Sequence, residues 1–232
     1  MKILCISDKI DPLVYSPFIK ERFSDIDLIL SAGDLPLYYL DYIISSLNKP
    51  LFFVFGNHHI DDLRHYRKMN DTPLHAVHQD LEYMGCGAVH LGTKVKVEGN
   101  TIVAGLGGSM RYNRGYNQFT ETEMYLEIFK IMPALLWNKL VRGKCVDILL
   151  THAPPKGIHD KKDKCHLGFK AFLWFMKVFK PKYLIHGHIH LYDMNEERCT
   201  QSDNTKVINA YNHFVFETSD NSKEVRTGDF NG

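Results

Sequence analysis

The chain has 232 residues, enough for one sizeable domain or two small ones. Its 44% hydrophobic and 24% charged residues are typical of a soluble globular protein. A net charge of +1 gives no bulk electrostatic reason to bind nucleic acid or an anionic membrane, so we expect neither as a partner. The five cysteines are scattered and form no C-x-x-C pair, which argues against a zinc ribbon or a disulfide framework. A reducing, cytoplasmic location is therefore predicted.

The first quarter of the chain alternates apolar strands with helical patterns. Strands are predicted over 2–7, 28–31 and 51–55, with a short helix over 17–23 and a longer one over 37–47. Asn48-Lys49-Pro50 ends the longer helix. Strand, helix, strand, helix, strand at this spacing predicts right-handed crossovers and a parallel sheet. A further short helix is predicted from about 60 to 69.

The middle of the chain changes character, with short strands predicted over 89–91, 94–98 and 101–105 and a hairpin turn at Gly99-Asn100. A loop rich in glycine and asparagine follows. Thr120-Glu121-Thr122-Glu123 is a capping box, which opens a helix to about Met132. Pro133 permits a kink or a second short helix through Leu140.

The last part of the chain predicts a strand over 146–150, an amphipathic helix over 168–179 and a strand over 183–186. Two further strands, over 205–209 and 214–217, are predicted to form a final hairpin. We interpret residues 1–218 as a single domain with two facing sheets and helices outside. We expect the polar tail, 219–232, to be disordered.

Polar clusters follow five of the predicted strands: Ser7-Asp8, Gly33-Asp34, Gly56-Asn57-His58, Thr151-His152 and Gly187-His188-Ile189-His190. Strands that deliver polar side chains from one end predict a convergent site. The strand over 183–186 is predicted to run into a sharp turn at Gly187, and His188 and His190, at i and i+2 on one extended segment, are predicted to point the same way.

Six candidate metal ligands come from these clusters: Asp8, Asp34, Asn57, His152, His188 and His190. Mixed oxygen and nitrogen donors suit manganese, iron, nickel or zinc better than calcium or magnesium. Six ligands are too many for one tetrahedral ion with an open position, but they are enough for two ions that share a carboxylate. Two such ions activate water for phosphate ester hydrolysis.

The order of these motifs resembles the calcineurin-like metallophosphoesterase superfamily, whose pattern is D-x-H, G-D, G-N-H-[D/E], H and G-H-x-H. The resemblance covers 8–190 and is closest to the branch that includes class III cyclic-nucleotide phosphodiesterases. It implies an α/β fold of two facing mixed β-sheets flanked by helices, a four-layer α/β/β/α sandwich. It also implies roles for the individual residues: Asp34 bridges two metals, Asn57, His152 and His188 complete one site, Asp8 and His190 hold the other, and His58 is a general acid or a phosphate contact.

The chain departs from the family pattern at two positions. The expected histidine ligand after Asp8 is Ile10, and Asp11 could replace it only if the loop bends inward. The expected acid after His58 is His59. We therefore predict one firm metal site and one weakened site. Arg111 is a weaker candidate for a phosphate contact, since the sequence favours an arginine solvated at the surface.

The leading hypothesis is a metal-dependent phosphoesterase that acts on a phosphodiester or a small phosphomonoester, with the diester favoured. The alternative is a catalytically weak or inactive protein of the same fold that binds a nucleotide or a protein partner. A nuclease acting on DNA lacks the basic, aromatic-lined groove expected for strand binding.

Overall fold

The computed structural model describes residues 1–58, 87–113, 115–193 and 196–218. In chain order its strands are β1 (Lys2–Ser7), β2 (Leu28–Ser31), β3 (Leu51–Phe53), β4 (Val89–His90), β5 (Lys94–Glu98), β6 (Thr101–Leu106), β7 (Ser109–Met110), β8 (Gln118–Phe119), β9 (Ile148–Thr151), β10 (Tyr183–His186), β11 (Cys199–Ser202), β12 (Thr205–Asn209) and β13 (Asn212–Glu217). Its α-helices are α1 (Ile19–Phe23), α2 (Leu37–Leu47), α3 (Glu121–Arg142) and α4 (Lys170–Phe179).

The strands form two main sheets, ordered β13-β1-β2-β3-β4 and β11-β12-β10-β9-β6-β5, and a small ribbon of β7 and β8. Strands β1 to β4 run parallel, as predicted for the first three, and β13 pairs antiparallel with β1. In the second sheet β6, β9, β10 and β12 are parallel, and antiparallel strands close both edges.

Alternating side chains of the central strands build three apolar layers. On β1, Ile3 and Cys5 enter the core between the sheets, whereas Leu4 and Ile6 pack toward α1 and α2. On β9, Leu149 packs toward α3 and α4, while its neighbours face the first sheet. Parallel strands are apolar on both faces because both faces are covered. The predicted α/β/β/α sandwich is confirmed.

The final hairpin predicted from β12 and β13 is wrong. β12 instead forms a hairpin with β11, through a turn at Asp203 and Asn204 that the sequence interpretation overlooked. β13 crosses to the first sheet, where Phe214 lies opposite Cys5 of β1. This crossing ties the end of the domain to its first strand.

Helix α3 continues through Pro133 as one helix of 22 residues, rather than stopping near Met132. The Thr120 and Glu123 capping box predicted for its start is present, and Gly143 ends it in a left-handed conformation. Pro133 is exposed, so water can satisfy the carbonyl that loses its helical partner.

Within the described ranges, no helix combines the length and the apolar character needed to cross a membrane. The helix predicted over 60–69 and the tail predicted to be disordered over 219–232 both lie outside the described residues.

Candidate metal centre

Three buried side chains meet at the carboxyl ends of β2, β9 and β10. Asp34, His152 and His188 each offer a ligand atom, and these atoms all lie within 4.8 Å of one another. The ring of His152 is fully buried, and the other two side chains are nearly so. One oxygen and two nitrogen donors at this spacing fit a divalent transition metal.

Hydrogen bonds to backbone carbonyls orient both histidine rings of this cluster. His152 Nδ1 donates to the carbonyl of Ala32 at 2.8 Å, which turns its Nε2 toward Asp34 Oδ2 at 3.3 Å, where Nε2 becomes a ligand atom once its proton leaves. His188 Nε2 donates to the carbonyl of Cys165 at 2.7 Å, which leaves Nδ1 as the atom that can bind a metal. Partners of this kind hold metal-binding histidines in the required tautomer.

The charges within the cluster perturb the pKa of each member. Burial of His152 opposes its protonation, but the Asp34 carboxylate outweighs burial and raises the pKa of His152 to about 9. Burial of Asp34 is likewise outweighed, chiefly by the charge of His152, so the pKa of Asp34 falls well below its usual value. Burial, followed by the charge of His152, lowers the pKa of His188 to about 3. His188 is therefore neutral at physiological pH, as a metal ligand must be.

Asn57 borders the same cluster. Its Oδ1 lies 3.1 Å from His152 Nε2, and its Nδ2 donates to the hydroxyl of Tyr112 at 3.2 Å. The preceding residue is Gly56, where a Cβ atom would collide with the carboxylate of Asp34 and the ring of His152. A side chain at position 56 would therefore displace two of the three candidate ligands.

Asp8 and His190 form a second, looser pair beside the first cluster. His190 Nε2 lies 3.8 Å from Asp8 Oδ1, and the half-exposed ring of His190 stacks on Tyr211 with 4.9 Å between centroids. Asp8 is buried, and burial raises its pKa. The charged carboxylate therefore depends on the hydrogen bonds and any cation around it.

Three of the candidate ligands have strained backbones. Asp8, Asp34 and His188 have φ angles of 64°, 54° and 67°, in the left-handed region. Non-glycine residues adopt this region rarely, and such strain concentrates at functional sites. The extended segment predicted for His188 to His190 is wrong, since β10 ends at His186. The turn at His188 instead sends it toward Asp34, whereas His190 faces Asp8.

Other residues singled out from the sequence lie in varied surroundings. His58 is exposed, and its backbone N–H donates to Asp34 Oδ1 at 2.9 Å. Arg111 directs its guanidinium to both carboxylate oxygens of Glu123, at 3.0 and 2.8 Å. His59 lies outside the described residues.

Position 10 offers no ligand. The Ile10 side chain packs against the apolar layer beneath α1 and α2. Asp11 does not bend toward the site, because its carboxylate accepts hydrogen bonds from His213 Nδ1 at 2.6 Å and from the backbone of Leu13 at 2.8 Å.

The loop after β9 contributes more than the sequence indicated. Besides the carbonyl of Cys165, it supplies His159, whose Nδ1 donates to Nε2 of the buried His186 at 2.8 Å. His186 Nδ1 in turn donates to the carbonyl of Gly187 at 2.9 Å. The Thr200 hydroxyl donates to His159 Nε2 at 2.8 Å. The histidines of this loop were the only sequence feature that could have predicted these hydrogen bonds, because every residue type has a backbone carbonyl.

Together, the sandwich and its buried carboxylate–imidazole cluster define a metal-binding α/β/β/α protein. The chain belongs to the calcineurin-like phosphoesterase family, whose model matches residues 1–192. Family membership and the Asp34, His152 and His188 cluster together support metal-dependent phosphoester hydrolysis with divalent ions.

Solved structures share this fold at low sequence identity. One aligns over 92% of this chain and 93% of its own, with a TM-score of 0.61 and 16% identity. The protein TT1561 of Thermus thermophilus aligns over 91% of this chain and 89% of its own, with a TM-score of 0.60 and 13% identity. No curated protein sequence matches the chain. These likenesses support the fold assignment and do not identify a substrate.

Proposed function

We propose that the protein hydrolyses a small phosphodiester, with a divalent transition metal ion held by Asp34, His152, His188 and Asn57. The observation that carries the proposal is the buried cluster of one carboxylate and two imidazoles. The carbonyls of Ala32 and Cys165 accept one N–H group from each ring, which leaves His152 Nε2 and His188 Nδ1 for the ion. A site arranged in this way needs little reorganisation to bind an ion.

Mixed oxygen and nitrogen donors favour manganese, iron, nickel or zinc over calcium and magnesium. We take manganese as the first ion to test. When bound, such an ion lowers the pKa of a coordinated water and polarises a phosphoryl oxygen. The carboxylate of Asp34 is ionised throughout the physiological range, since its pKa lies below its usual value.

His58 is the residue of this chain that we propose to protonate the leaving oxygen. Its backbone N–H is fixed on Asp34 Oδ1, and its side chain is exposed at the edge of the buried cluster. An imidazole there can give a proton to an alkoxide or aryloxide as the ester bond breaks. Asn57, held by Tyr112, lies between this position and His152.

A diester is favoured over a monoester by the surroundings of Arg111. Its guanidinium is occupied by Glu123 and by the carbonyl of Gln118, 3.1 Å away. A monoester carries about two negative charges at neutral pH and benefits most from a bidentate arginine contact. A diester carries only one charge and depends less on such a contact.

We further propose that the site with Asp8 and His190 binds its ion weakly. Ile10 stands where the family pattern has histidine, and it packs into the apolar layer instead of facing the site. Asp8, His190 and the shared Asp34, on a partly exposed site, hold a metal less firmly than the buried cluster does. One tightly bound ion per chain is the expected stoichiometry.

The test is hydrolysis of bis-p-nitrophenyl phosphate with and without manganese, beside p-nitrophenyl phosphate as the monoester. Manganese-dependent turnover of the diester, lost in a folded His188→Ala variant, supports the proposal. A His159→Ala variant lacks an imidazole near the site that is not a proposed ligand, so it serves as the matched control and should retain turnover at saturating manganese. A folded, manganese-loaded protein without turnover of either ester contradicts the proposal.

The second candidate function is a binding protein with weak or no hydrolytic activity, and the packing of Ile10 away from the site favours it. Ile10→His separates the two functions. A protein inactive before the substitution and active after it supports the binding protein. An active protein that gains nothing contradicts the weak second site.

We also propose a reducing, cytoplasmic location. The four cysteines among the described residues, Cys5, Cys145, Cys165 and Cys199, are free thiols. This agrees with a compartment in which disulfides do not accumulate. Mass spectrometry after alkylation of the freshly lysed source cell would test it, with disulfide-linked peptides as the contradicting result.

A further inference from the structure

Helix α3 exposes an unusual number of large apolar side chains. On its outward side, about half or more of each large apolar residue is accessible, reaching 64% for Trp137 and 79% for Leu140. The outer α3 face consists of Leu126, Phe129, Leu136, Trp137, Leu140 and Val141, and Val178 of α4 is also exposed. Side chains of this size expose on the order of 700 Å² together. The largest apolar patch of a typical monomer is about 300–600 Å².

The spacing of these residues follows the helix. Leu126, Phe129, Pro133, Leu136 and Leu140 recur every three or four positions and so lie on one face. The opposite face of α3 buries its own apolar residues against the second sheet: Met124, Ile128, Ile131 and Leu135. A helix that is apolar on both faces normally has a partner on each.

The outer α3 face is complementary to itself in an antiparallel arrangement. Leu126 and Leu140 both lie seven residues from Pro133, and Phe129 and Trp137 both lie four residues from it. A two-fold axis at Pro133 therefore brings Leu126 of one copy against Leu140 of the other, and Phe129 against Trp137. Interfaces with two-fold symmetry need this pairing of one patch with itself.

The helix dipoles also favour the antiparallel arrangement. Two antiparallel helices lie with opposite dipole ends together, whereas a parallel pair would place like ends side by side. The carboxylates of the first turn do not contribute, because Glu121 accepts from the backbone of Lys170 and Glu123 pairs with Arg111.

The area also fits a second copy better than the C-terminal tail of the same chain. A stable interface buries about 800 Å² per partner, close to what the outer α3 face offers. The tail over 219–232 has only Val225 and Phe230 as large apolar residues, too few to cover seven exposed side chains. We propose that the protein forms a symmetric dimer in which α3 packs antiparallel against α3 of a second copy. This inference is independent of the proposed hydrolysis.

Sedimentation of the full chain from about 1 to 100 µM tests the dimer, since interfaces of this size have dissociation constants of about micromolar or tighter. The wild type should sediment at twice its mass of 26.9 kDa. Leu140→Glu and Trp137→Glu should each weaken the dimer at least 100-fold, because the two-fold axis introduces every charge twice. Leu13→Glu makes the same change at an exposed leucine on the loop after β1, and should leave the dimer intact.

A wild type that is monomeric at 100 µM overturns the proposal, whatever partner then occupies the face. A dimer that persists in both Leu140→Glu and Trp137→Glu also overturns the proposal. The same holds if Leu13→Glu dissociates the dimer to the same extent. Circular dichroism of each variant confirms that dissociation occurs in a folded chain. Trp137 and Leu140 are both exposed, so neither substitution should prevent folding. Loss of the dimer in both folded variants therefore reports on the interface.

Cysteine cross-linking tests the antiparallel register. Pro133→Cys should cross-link to itself with a short bis-maleimide, above the background that the native cysteines give in the unaltered chain. Leu126→Cys mixed with Leu140→Cys should cross-link, whereas Leu126→Cys alone should not, because its two copies would be about 21 Å apart. Self-linking of Leu126→Cys without linking at Pro133→Cys contradicts the antiparallel dimer.

Discussion

The backbone N–H of His188 donates to both carboxylate oxygens of Asp8, at 3.0 and 2.9 Å, although 180 residues separate them. The bond joins the turn after β10 in the second sheet to the turn after β1 in the first. The Ser7 hydroxyl also donates to Asp8, at 2.5 Å. The two halves of the candidate centre are therefore held together by a buried carboxylate before any ion is considered.

Asp8→Asn should stabilise the metal-free protein at pH 7.5. Folding raises the pKa of Asp8 through burial, so its stabilising contribution is present below the pKa of the unfolded chain and is lost as pH rises through the folded pKa. Asparagine keeps an acceptor for His188 without the buried charge. We expect thermal unfolding to shift up by about 2–4 °C, for a gain near 1 kcal/mol. The shift should shrink as pH falls toward 4, and a lower melting temperature at pH 7.5 would contradict this account.

Metal affinity should rise with pH through the ionisation of His152. The pKa of His152 is raised to about 9, so in the metal-free protein its contribution to stability is present below 6.5 and is lost as pH rises through about 9. A metal must displace this proton, which costs about tenfold in affinity per pH unit below 9. Calorimetry in buffers of different ionisation enthalpy should detect about one proton released per ion at pH 7. His152→Gln should abolish the release, and an affinity independent of pH between 6 and 8 would refute the prediction.

Gly187→Ala should disrupt the contact between the two sheets at the site. A Cβ atom at this position would lie 2.5 Å from Asp8 Oδ2 and even closer to the hydroxyl of Ser7. We expect a loss of about 1–3 kcal/mol in the free energy of unfolding, measured with urea, and weaker metal binding. Gly157→Ala is the control, since its Cβ would meet open space and only its φ of 80° is unfavourable. Equal effects on metal affinity from both variants would count against the collision.

His159→Ala should loosen the metal-binding turn without removing a proposed ligand. The substitution leaves the buried Nε2 of His186 without its donor, which costs about 1–3 kcal/mol. Because His186 also holds the carbonyl of Gly187, metal affinity should fall about 10-fold. Lys162→Ala, at an exposed position of the same loop, is the control. Turnover at saturating manganese should survive in both variants, and an unchanged affinity in His159→Ala would exclude the positioning role.

The sequence predicted those elements whose signals are local. Helix α2 and strands β1, β2, β5, β10 and β12 have the predicted bounds, because apolar periodicity and stop residues mark both ends. The partner of β13 could not be predicted in this way. β13 pairs with β1 across about 200 residues of chain, and no pattern in either strand identifies the other as its partner.

The candidate site was predictable in composition but not in detail. Asp34 follows β2 of the first sheet and His152 follows β9 of the second, so their convergence depends on both sheets being parallel there and placing their carboxyl ends at the same edge. A turn at Gly187 was predicted, but the left-handed conformation of His188 was not, because residues other than glycine rarely adopt it. The hydrogen bond from His188 to the carbonyl of Cys165 could not be predicted, because every residue type has a carbonyl and the loop has no periodic pattern.

Arg111→Gln should leave substrate binding unchanged. The guanidinium is held by Glu123 and by the carbonyl of Gln118, so it braces the start of α3 instead of facing an ester. We expect KM for bis-p-nitrophenyl phosphate to remain within twofold of the wild type, with a small drop in melting temperature. Glu123→Gln weakens the same ion pair and provides the matched control, with a similar drop and the same KM. A KM at least tenfold higher in Arg111→Gln, with Glu123→Gln unaffected, would show that Arg111 leaves its partner to grip the phosphate.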